Sequence, residues 1–245
     1  MTIRHISKNN YGKNLTAWCL LVLSGLLLSN DAFAQTPVSK PLAKIDSNYN
    51  HAHYQQRTEF FRKSHHFKHP IVFLGNSITE HGEWQEVFDN HNIINRGIGG
   101  DNTFGVLARL DEVLATKPRK IFLLIGINDL SRRLPIDVIV NNYKRIITRV
   151  KRESPKTTLY IQSILPVRES MTTASYLKNI SPLVTELNKR TKELAAAEHL
   201  IWINLHPLVA AADGQLREEL SRDGIHLKPE VYITWANYLK SQKYL

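Results

Sequence analysis

The sequence predicts a three-layer α/β/α domain built on a parallel sheet of about five strands. Short runs of apolar residues recur along the chain. Each run is continuously apolar rather than alternating, which is typical of parallel strands buried on both faces. Amphipathic helical patterns lie between these runs, and strands that alternate with helices form right-handed βαβ units. Together these observations indicate one α/β domain without internal repeats.

The first 34 residues are set aside from the fold. Residues 1–13 are basic, the 14 residues 15–28 are almost wholly apolar, and Ala32-Phe33-Ala34 is a small-x-small cleavage site. This layout is typical of a secretory signal peptide. The alternative is a membrane anchor, but the apolar core is shorter than the roughly 20 residues that a spanning helix needs. We therefore expect cleavage after Ala34, an exported protein, periplasmic or secreted, and no transmembrane segment after cleavage.

Residues 35–69 are expected to form a polar linker and a leading helix, and residues 70–245 the folded domain. The first of these segments is rich in histidine, and such clusters can bind metal. They precede the first strand, away from the polar motifs described below, so we interpret them as exposed surface and expect no metal site. These histidines are His51, His53, His65, His66 and His69.

The predicted strands and helices follow in order along the domain. Apolar residues between Ile136 and Val150 repeat at i, i+3, i+4 and i+7, which predicts a helix with Pro135 at its first position. Similar apolar faces at Val106–Leu114 and Leu183–Leu194 predict two more helices. The strands are expected at residues 71–74, 92–95, 120–125, 158–164 and 200–205.

Charge and cysteine content exclude several classes of function. The formal net charge is +10, but Lys and Arg are scattered among acidic residues. No basic stripe interleaved with aromatic residues is present, which argues against a nucleic-acid partner. Cys19 is the only cysteine and lies in the predicted signal peptide. A cysteine nucleophile and a thiolate metal site are therefore excluded from the mature chain.

Polar residues follow three of the predicted strands, and a further pair lies near the C-terminus. Ser77 follows the first run, a glycine-dense turn containing Gly100 follows the second, and Asn128 follows the third. Asp223 and His226 are three residues apart. A nucleophile, a side-chain amide, a flexible turn and an acid/base pair are the parts of an acyl-transfer site. Open α/β sheets bind ligands at the carboxyl ends of their strands, where these residues lie.

The glycine-dense turn and the final pair also have simpler interpretations. The turn could be an ordinary loop, and Asp-x-x-His alone is a weak motif. A dinucleotide fingerprint is disfavoured because its last glycine is missing, since position 102 is Asn. We expect glycine at position 100 because a side chain there would obstruct the close approach of a ligand to the backbone.

The four motifs resemble the conserved blocks of the SGNH (GDSL) hydrolases, a family of esterases, acetylhydrolases and lipases, over roughly residues 70–245. The resemblance implies that Ser77 is the nucleophile, His226 its base and Asp223 the partner of His226. It also implies an oxyanion hole formed by the backbone N–H groups of Ser77 and Gly100 and the amide of Asn128. The family chemistry requires no metal and no cofactor.

The details of these motifs favour one branch and include one departure. The Gly-Ile-Gly-Gly-Asp turn is most similar to platelet-activating-factor acetylhydrolase subunits and bacterial carbohydrate acetylesterases. The first block reads Gly75-Asn76-Ser77, where the family name implies Gly-Asp-Ser. Asn76 keeps the polarity and turn-forming ability of Asp but lacks its charge.

The loop at residues 166–174 follows the fourth predicted strand and is expected to border the site. It is polar, which favours a short acyl group on a polar carrier over a long lipid chain. Arg168 in this loop is the candidate for contacting an acidic substrate group. We expect an exported serine esterase that removes short acyl groups, above all acetyl, from carbohydrate or a similar polar substrate.

Two alternatives remain. One is a lysophospholipase or thioesterase. The other is a catalytically silent carbohydrate-binding module on the same scaffold. The presence of all three of Ser77, Asn128 and His226 argues against a silent module, because a binding module has no need for the full set.

Overall fold

The protein is described here from a computed structural model, in which residues 46–64 and 67–245 are described. The predicted signal peptide and the first part of the predicted linker lie outside the described residues, as do His65 and His66. The leading helix is present as α1, Ala52–Lys63.

A parallel sheet of five strands forms the middle layer, in the order β2-β1-β3-β4-β5. Helices cover both of its faces, so the predicted fold class is confirmed. The strands are β1 (Ile71–Gly75), β2 (Ile93–Gly97), β3 (Lys120–Leu124), β4 (Thr158–Gln162) and β5 (Ile201–Ile203).

Three long helices and several short ones follow α1. The long helices are α7 (Ile136–Glu153), α8 (Ser181–Ala197) and α10 (Pro229–Ser241). Short 3₁₀ turns lie at Ser175–Leu177 and Glu218–Leu220. The short helices are α2 (Ser77–Glu80), α3 (Trp84–Phe88), α4 (Thr103–Ala108), α5 (Leu110–Ala115), α6 (Ile127–Ser131) and α9 (His206–Val209).

The predicted element ends need several corrections, among them the fourth strand, which ends at Gln162 and not at residue 164. The last strand is shorter than expected, and α7 begins at Ile136 with Pro135 as its N-cap rather than its first residue. The apolar face at Val106–Leu114 belongs to two short helices, not one. The break falls at Arg109, whose side chain is buried and donates to Gly75 O, Arg96 O and the Asp101 carboxylate.

Aromatic residues on three neighbouring strands stack across one face of the sheet. Phe73 on β1 lies 5.0 Å from Phe122 on β3, which lies 4.6 Å from Tyr160 on β4, measured between ring centroids. Trp84 of α3 stacks on Phe73 at 4.0 Å. Offset aromatic pairs at such distances add about 0.5–1.5 kcal/mol each beyond their buried area. This stack anchors the central strands, from which two of the predicted site segments emerge.

The strand register brings the carboxyl ends of the three strands nearest the predicted site to one level. Gly75 of β1 pairs with Gly97 of β2 on one side and with Leu124 of β3 on the other. Because the strand order reverses beside β1, a crevice opens at this edge, which is where doubly wound sheets bind ligands. In residues 46–64 and 67–245, every helix is too short or too polar to cross a bilayer.

Candidate active site

Ser77, His226 and Asp223 form a chain of hydrogen bonds at the carboxyl edge of the sheet. Ser77 Oγ lies 2.9 Å from His226 Nε2, and His226 Nδ1 lies 2.6 Å from Asp223 Oδ2. A carboxylate only accepts hydrogen bonds, so Nδ1 carries the proton and donates it. Nε2 is then left to accept the Ser77 hydroxyl, which is the tautomer that a general base needs.

Ser77 is the first residue of α2, in the turn that follows β1. Asn76 before it has an extended backbone and caps the helix, because its Oδ1 accepts the N–H of Ile78 at 3.0 Å. An amide therefore does the capping where the family name implies a carboxylate. The Nδ2 group of Asn76 is buried and has no hydrogen-bond partner within the described part of the chain.

A tight loop holds Asp223 and His226 in register. Asp223 Oδ1 accepts the N–H groups of His226 at 2.8 Å and Ile225 at 3.0 Å. Ser221 Oγ donates to His226 O and accepts the N–H of Gly224, both at 2.9 Å. These hydrogen bonds fix the shape of the loop and help to orient the imidazole towards Ser77.

Local interactions favour the ionised form of Asp223 and the neutral form of the nearby His81. Partial burial alone would raise the pKa of Asp223, but hydrogen bonds from the ring and backbone of His226 outweigh burial, and the pKa is lowered. His81, at the end of α2, has its ring centroid 5.1 Å from that of His226. Burial and the nearby His226 both lower the pKa of His81.

The three predicted oxyanion donors line one pocket with His226 and Asp223. The N–H groups of Ser77 and Gly100 have no protein acceptor among the described residues. Asn128, in the first turn of α6, donates one amide N–H to Asp101 O at 2.8 Å, and its second N–H is available to a ligand. Donors fixed in this way can stabilise the negative charge of a tetrahedral intermediate.

Gly100 is required for a different reason than expected. It lies in the turn from Ile98 to Asp101, which is closed by a hydrogen bond from Asp101 N to Ile98 O of 3.1 Å. Its φ of 77° is the value that the third residue of a type II turn needs. A Cβ at this position would lie 3.0 Å from His51 Nε2, so it would meet the protein itself.

The loop at residues 166–174 borders the pocket, as expected, and the pocket holds about 400 Å³. Glu169 holds this loop against the start of α8, because its carboxylate accepts N–H groups of Asn179, Ile180 and Ser181 and the Ser181 hydroxyl, at 2.7–3.1 Å. Beside the predicted catalytic residues and oxyanion donors, the pocket is lined by Met171, Thr172, Thr173, Ala174, Tyr176, Leu177 and Ile225.

Arg168 does not face the pocket. Its guanidinium lies 2.6 Å from Asp213 Oδ2 and donates to Leu216 O at 2.7 Å. The side chain is therefore engaged in holding the segment around Asp213, which corrects the expectation that it contacts an acidic substrate group.

Two histidines of the predicted surface cluster lie close to the site. His53 Nε2 is 2.9 Å from the carboxylate of Glu80 at the end of α2, and His51 lies against Gly100. Distance along the sequence was misleading, because α1 folds back over the glycine turn. His69 lies elsewhere and contacts Lys117 O.

Three residues around the site escape recognition from the sequence. Glu80 accepts the N–H of Gly99, Arg109 joins the ends of β1 and β2, and His81 neighbours His226. Their only signal in the sequence is proximity to the motifs: Glu80 and His81 follow Ser77 by three and four residues. Nothing in the local pattern distinguishes them from exposed charges.

Comparisons with known proteins agree with this geometry. The model of the GDSL-like Lipase/Acylhydrolase family matches residues 73–232. Subunit alpha1 of platelet-activating factor acetylhydrolase IB from Rattus norvegicus is 24% identical over 199 residues, 79% of this chain and 83% of the relative. An arylesterase of Vibrio mimicus is 28% identical over 170 residues, 69% of this chain and 75% of the relative.

Solved structures share the fold. One from Streptococcus pneumonia, described as a candidate platelet activating factor, has a TM-score of 0.72 at 31% identity, and the match covers 78% of this chain and 92% of that chain. An acetylxylan esterase of Geobacillus stearothermophilus has a TM-score of 0.57 at 16% identity, with 71% and 94% covered.

Proposed function

This chain belongs to the GDSL-like lipase/acylhydrolase family and is a carboxylic ester hydrolase, and from that premise we propose that it removes acetyl groups from a carbohydrate carrier through an acyl-enzyme. The family resemblance seen in the motifs is thereby confirmed. We propose the substrate, the roles of the individual residues and the export of the protein.

The proposed mechanism uses only side chains and backbone of this chain. His226 removes the proton of Ser77 as Oγ attacks the ester carbonyl, and Asp223 stabilises the imidazolium that forms. The N–H groups of Ser77 and Gly100 and the amide of Asn128 receive the oxyanion. His226 then protonates the departing alcohol, and water, activated by the same imidazole, hydrolyses the acyl-Ser77 ester.

A single observation carries the proposed mechanism: the continuous contact from Asp223 through His226 to Ser77, at 2.6 and 2.9 Å. Ser77 and His226 are 149 residues apart in the sequence, so only the fold brings the serine hydroxyl within hydrogen-bond distance of the imidazole. A catalytically silent binding module has no use for a base aimed at a serine hydroxyl.

The size and lining of the pocket support a short acyl group. Most of the residues around it are polar or small, including Thr172, Thr173 and Ala174. A long acyl chain would need a continuous apolar channel to be favourable, since burial of each CH₂ contributes about 0.8 kcal/mol only in an apolar environment. Acetyl is also the group in the name of one relative, platelet-activating factor acetylhydrolase IB.

Tyr176 supports a carbohydrate carrier. It lines the pocket beside the catalytic residues, yet 57% of the residue is exposed. The buried Leu177 and the bonds of Glu169 to the start of α8 hold its backbone in place. A rigid ring exposed at the entrance offers an apolar face and a polar hydroxyl, which suits a sugar ring.

Export is part of the proposal because the sequence layout of residues 1–34 is that of a signal peptide. N-terminal sequencing of protein recovered from the periplasm or medium should begin at Gln35. Retention in the cytoplasm with an intact Met1 would contradict it.

Hydrolysis of p-nitrophenyl esters from acetyl to palmitoyl tests the acyl preference. We expect kcat/KM to be highest for acetate and to fall with chain length. Ser77→Ala should lower kcat by about 10⁶-fold with little change in melting temperature, because its hydroxyl contacts only His226. A preference for palmitate would support a lipase, and a Ser77→Ala variant with a tenth of wild-type kcat would refute the proposed nucleophile.

Tyr176→Ala tests the carbohydrate carrier. We expect KM for an acetylated xylo-oligosaccharide to rise about tenfold, equivalent to roughly 1.4 kcal/mol, while kcat/KM for p-nitrophenyl acetate stays unchanged. Phe60→Ala is the matched control, because it removes another exposed aromatic ring at a position distant from Tyr176 in the sequence. Unchanged KM for the sugar ester, or equal losses on both substrates, would refute a sugar platform at Tyr176.

A further inference from the structure

The carboxylate of Glu80 holds the turn that carries Gly100. Its Oε2 accepts the backbone N–H of Gly99 at 2.6 Å, and the side chain is only 17% exposed. Hydrogen bonds to an ionised acceptor are shorter and about twice as strong as neutral ones. The peptide next to Gly100 is therefore fixed by a charged contact from α2, the helix that also begins with Ser77.

Two basic residues of α1 hold Glu80 in turn. His53 Nε2 lies 2.9 Å from Oε1 of Glu80, and Arg57 Nε lies 3.1 Å from the same atom. The Arg57 N–H has no aligned acceptor, so this contact is an ion pair rather than a hydrogen bond. With both oxygens engaged, Glu80 has little freedom to leave Gly99.

Helix α1 is itself packed on the glycine turn. Tyr54 and Phe61 form a small buried cluster with Ile98, the residue that precedes Gly99. The Tyr54 hydroxyl donates to Gly105 O at 2.8 Å, just beyond the turn. The helix is thus attached by apolar packing and by a buried hydrogen bond.

The backbone of the turn also fits closely against α2. A Cβ at Gly97 would lie 2.2 Å from Glu80 N, so the main chains of β2 and α2 touch at this point. Asn95 reinforces the contact by donating from its amide to Glu80 O and Gly82 O, both at 2.9 Å. Glu80 therefore acts where the nucleophile helix and the glycine turn meet.

We propose that Glu80 is a positioning residue for the oxyanion hole, held in place by His53 and Arg57 of α1. It sets the Gly99–Gly100 backbone so that the Gly100 N–H points at the developing oxyanion. Helix α1 precedes the segment matched by the family model, which begins at residue 73, so this element outside that segment completes the catalytic scaffold. The inference rests on the proposed role of Gly100 and not on the identity of the carrier.

The physical effect expected is a loss of transition-state stabilisation. A donor must lie at about 2.7–3.1 Å from the oxyanion to be effective. A displacement of about 1 Å at a catalytic group can cost about 10²-fold in rate. Because the substrate carbonyl in the ground state needs this donor less, kcat should fall while KM changes little.

Glu80→Ala and Glu80→Gln test the proposal with p-nitrophenyl acetate as substrate. Glu80→Ala should lower kcat by about 10- to 100-fold at nearly constant KM, and the Gly99 amide should exchange its hydrogen faster. Glu80→Gln keeps an oxygen that can accept the Gly99 N–H, so it should restore most of kcat. Glu83→Gln, an exposed acid close by in sequence, is the matched control and should behave as wild type.

His53→Ala provides a second variant, because His53 is exposed and its removal should not impair folding. It should lower kcat by several-fold at constant KM. A purely structural role for Glu80 predicts a lower melting temperature with kcat per folded enzyme unchanged in both variants, and that result would overturn the proposal. If the Ser77→Ala variant also retained activity, the proposed active site itself would be wrong. If Ser77→Ala abolished activity but the Glu80 and His53 variants kept wild-type kcat, only the positioning role of Glu80 would be wrong.

Discussion

Replacing Asn128 by Ala removes two amide N–H groups with different tasks. One donates to Asp101 O at 2.8 Å and so contributes to stability. The other belongs to a side chain that lines the pocket with Ser77 and Gly100. An internal hydrogen bond contributes about 0.5–1.5 kcal/mol to stability, whereas loss of one oxyanion donor costs about 2.7–4 kcal/mol in the transition state. We therefore expect kcat to fall about 10²–10³-fold while the free energy of unfolding falls by only about 1 kcal/mol.

The two quantities are measured on the same samples. Initial rates with p-nitrophenyl acetate give kcat and KM, and urea titration gives the free energy of unfolding. KM should change little, because the missing donor acts mainly on the transition state. Asn141→Ala makes the same chemical change at an exposed position of α7 and should alter neither quantity. A kcat within threefold of wild type, at any loss of stability, would refute the role of Asn128 as an oxyanion donor.

Two predictions concern stability. Asn76→Ser keeps a side-chain oxygen that can accept the Ile78 N–H, and it removes the buried, unpartnered Nδ2. In urea unfolding, the Asn76→Ser variant should therefore be more stable than the Asn76→Ala variant by about 0.5–2 kcal/mol. Equal stabilities of the two variants would mean that the cap contributes nothing. Burial raises the pKa of Asp129 from 3.8 to about 7. Between these two pH values the folded state keeps a proton that the unfolded state has lost. The free energy of unfolding therefore decreases as pH rises from about 4 to 7. The stability of Asp129→Asn relative to wild type should therefore increase between about pH 4 and 7, by at most about 4 kcal/mol, and a difference independent of pH would contradict the raised pKa.

The sheet and the order of its site residues were predictable because they depend on local patterns. The strands are continuously apolar, and Ser77 and Asn128 follow directly where two of them end. In parallel sheets the carboxyl ends of neighbouring strands share an edge, so sequence position alone indicates that these residues meet. The observed pairing of Gly75 with Leu124 puts the two ends level, as that reasoning requires.

The division between α4 and α5 was not predictable from periodicity. The apolar residues on either side of Arg109 keep helical spacing, so the pattern shows no break. At the break, the Arg109 guanidinium turns inward to Gly75 O, Arg96 O and Asp101. A long charged side chain is normally assigned to the surface, and only the tertiary structure shows the buried carboxylate that makes its burial favourable.

The closeness of His51 and His53 to the site was missed for a related reason, although both are exposed as expected. His53 and Glu80 are 27 residues apart, and nothing local relates them. Their contact exists because Tyr54 and Phe61 pack on Ile98 and bring α1 over the glycine turn. Helix α1 has few apolar residues, so its docking surface could not be recognised from hydrophobic periodicity.

Arg168 shows how a residue can serve a site without facing it. Its side chain is engaged by Asp213 and Leu216, whereas its backbone N–H donates to Gly224 O at 2.8 Å. Gly224 lies between Asp223 and His226, so this bond ties the pocket loop to the loop that carries the proposed base. Ser77 and Asn128 lie in short helices that follow directly from the buried strands β1 and β3, but the imidazole of His226 lies on a loop and depends on such ties for its orientation. Because any residue except proline offers a backbone N–H, this role depends on the path of the chain. It therefore cannot be recognised from the identity of the side chain.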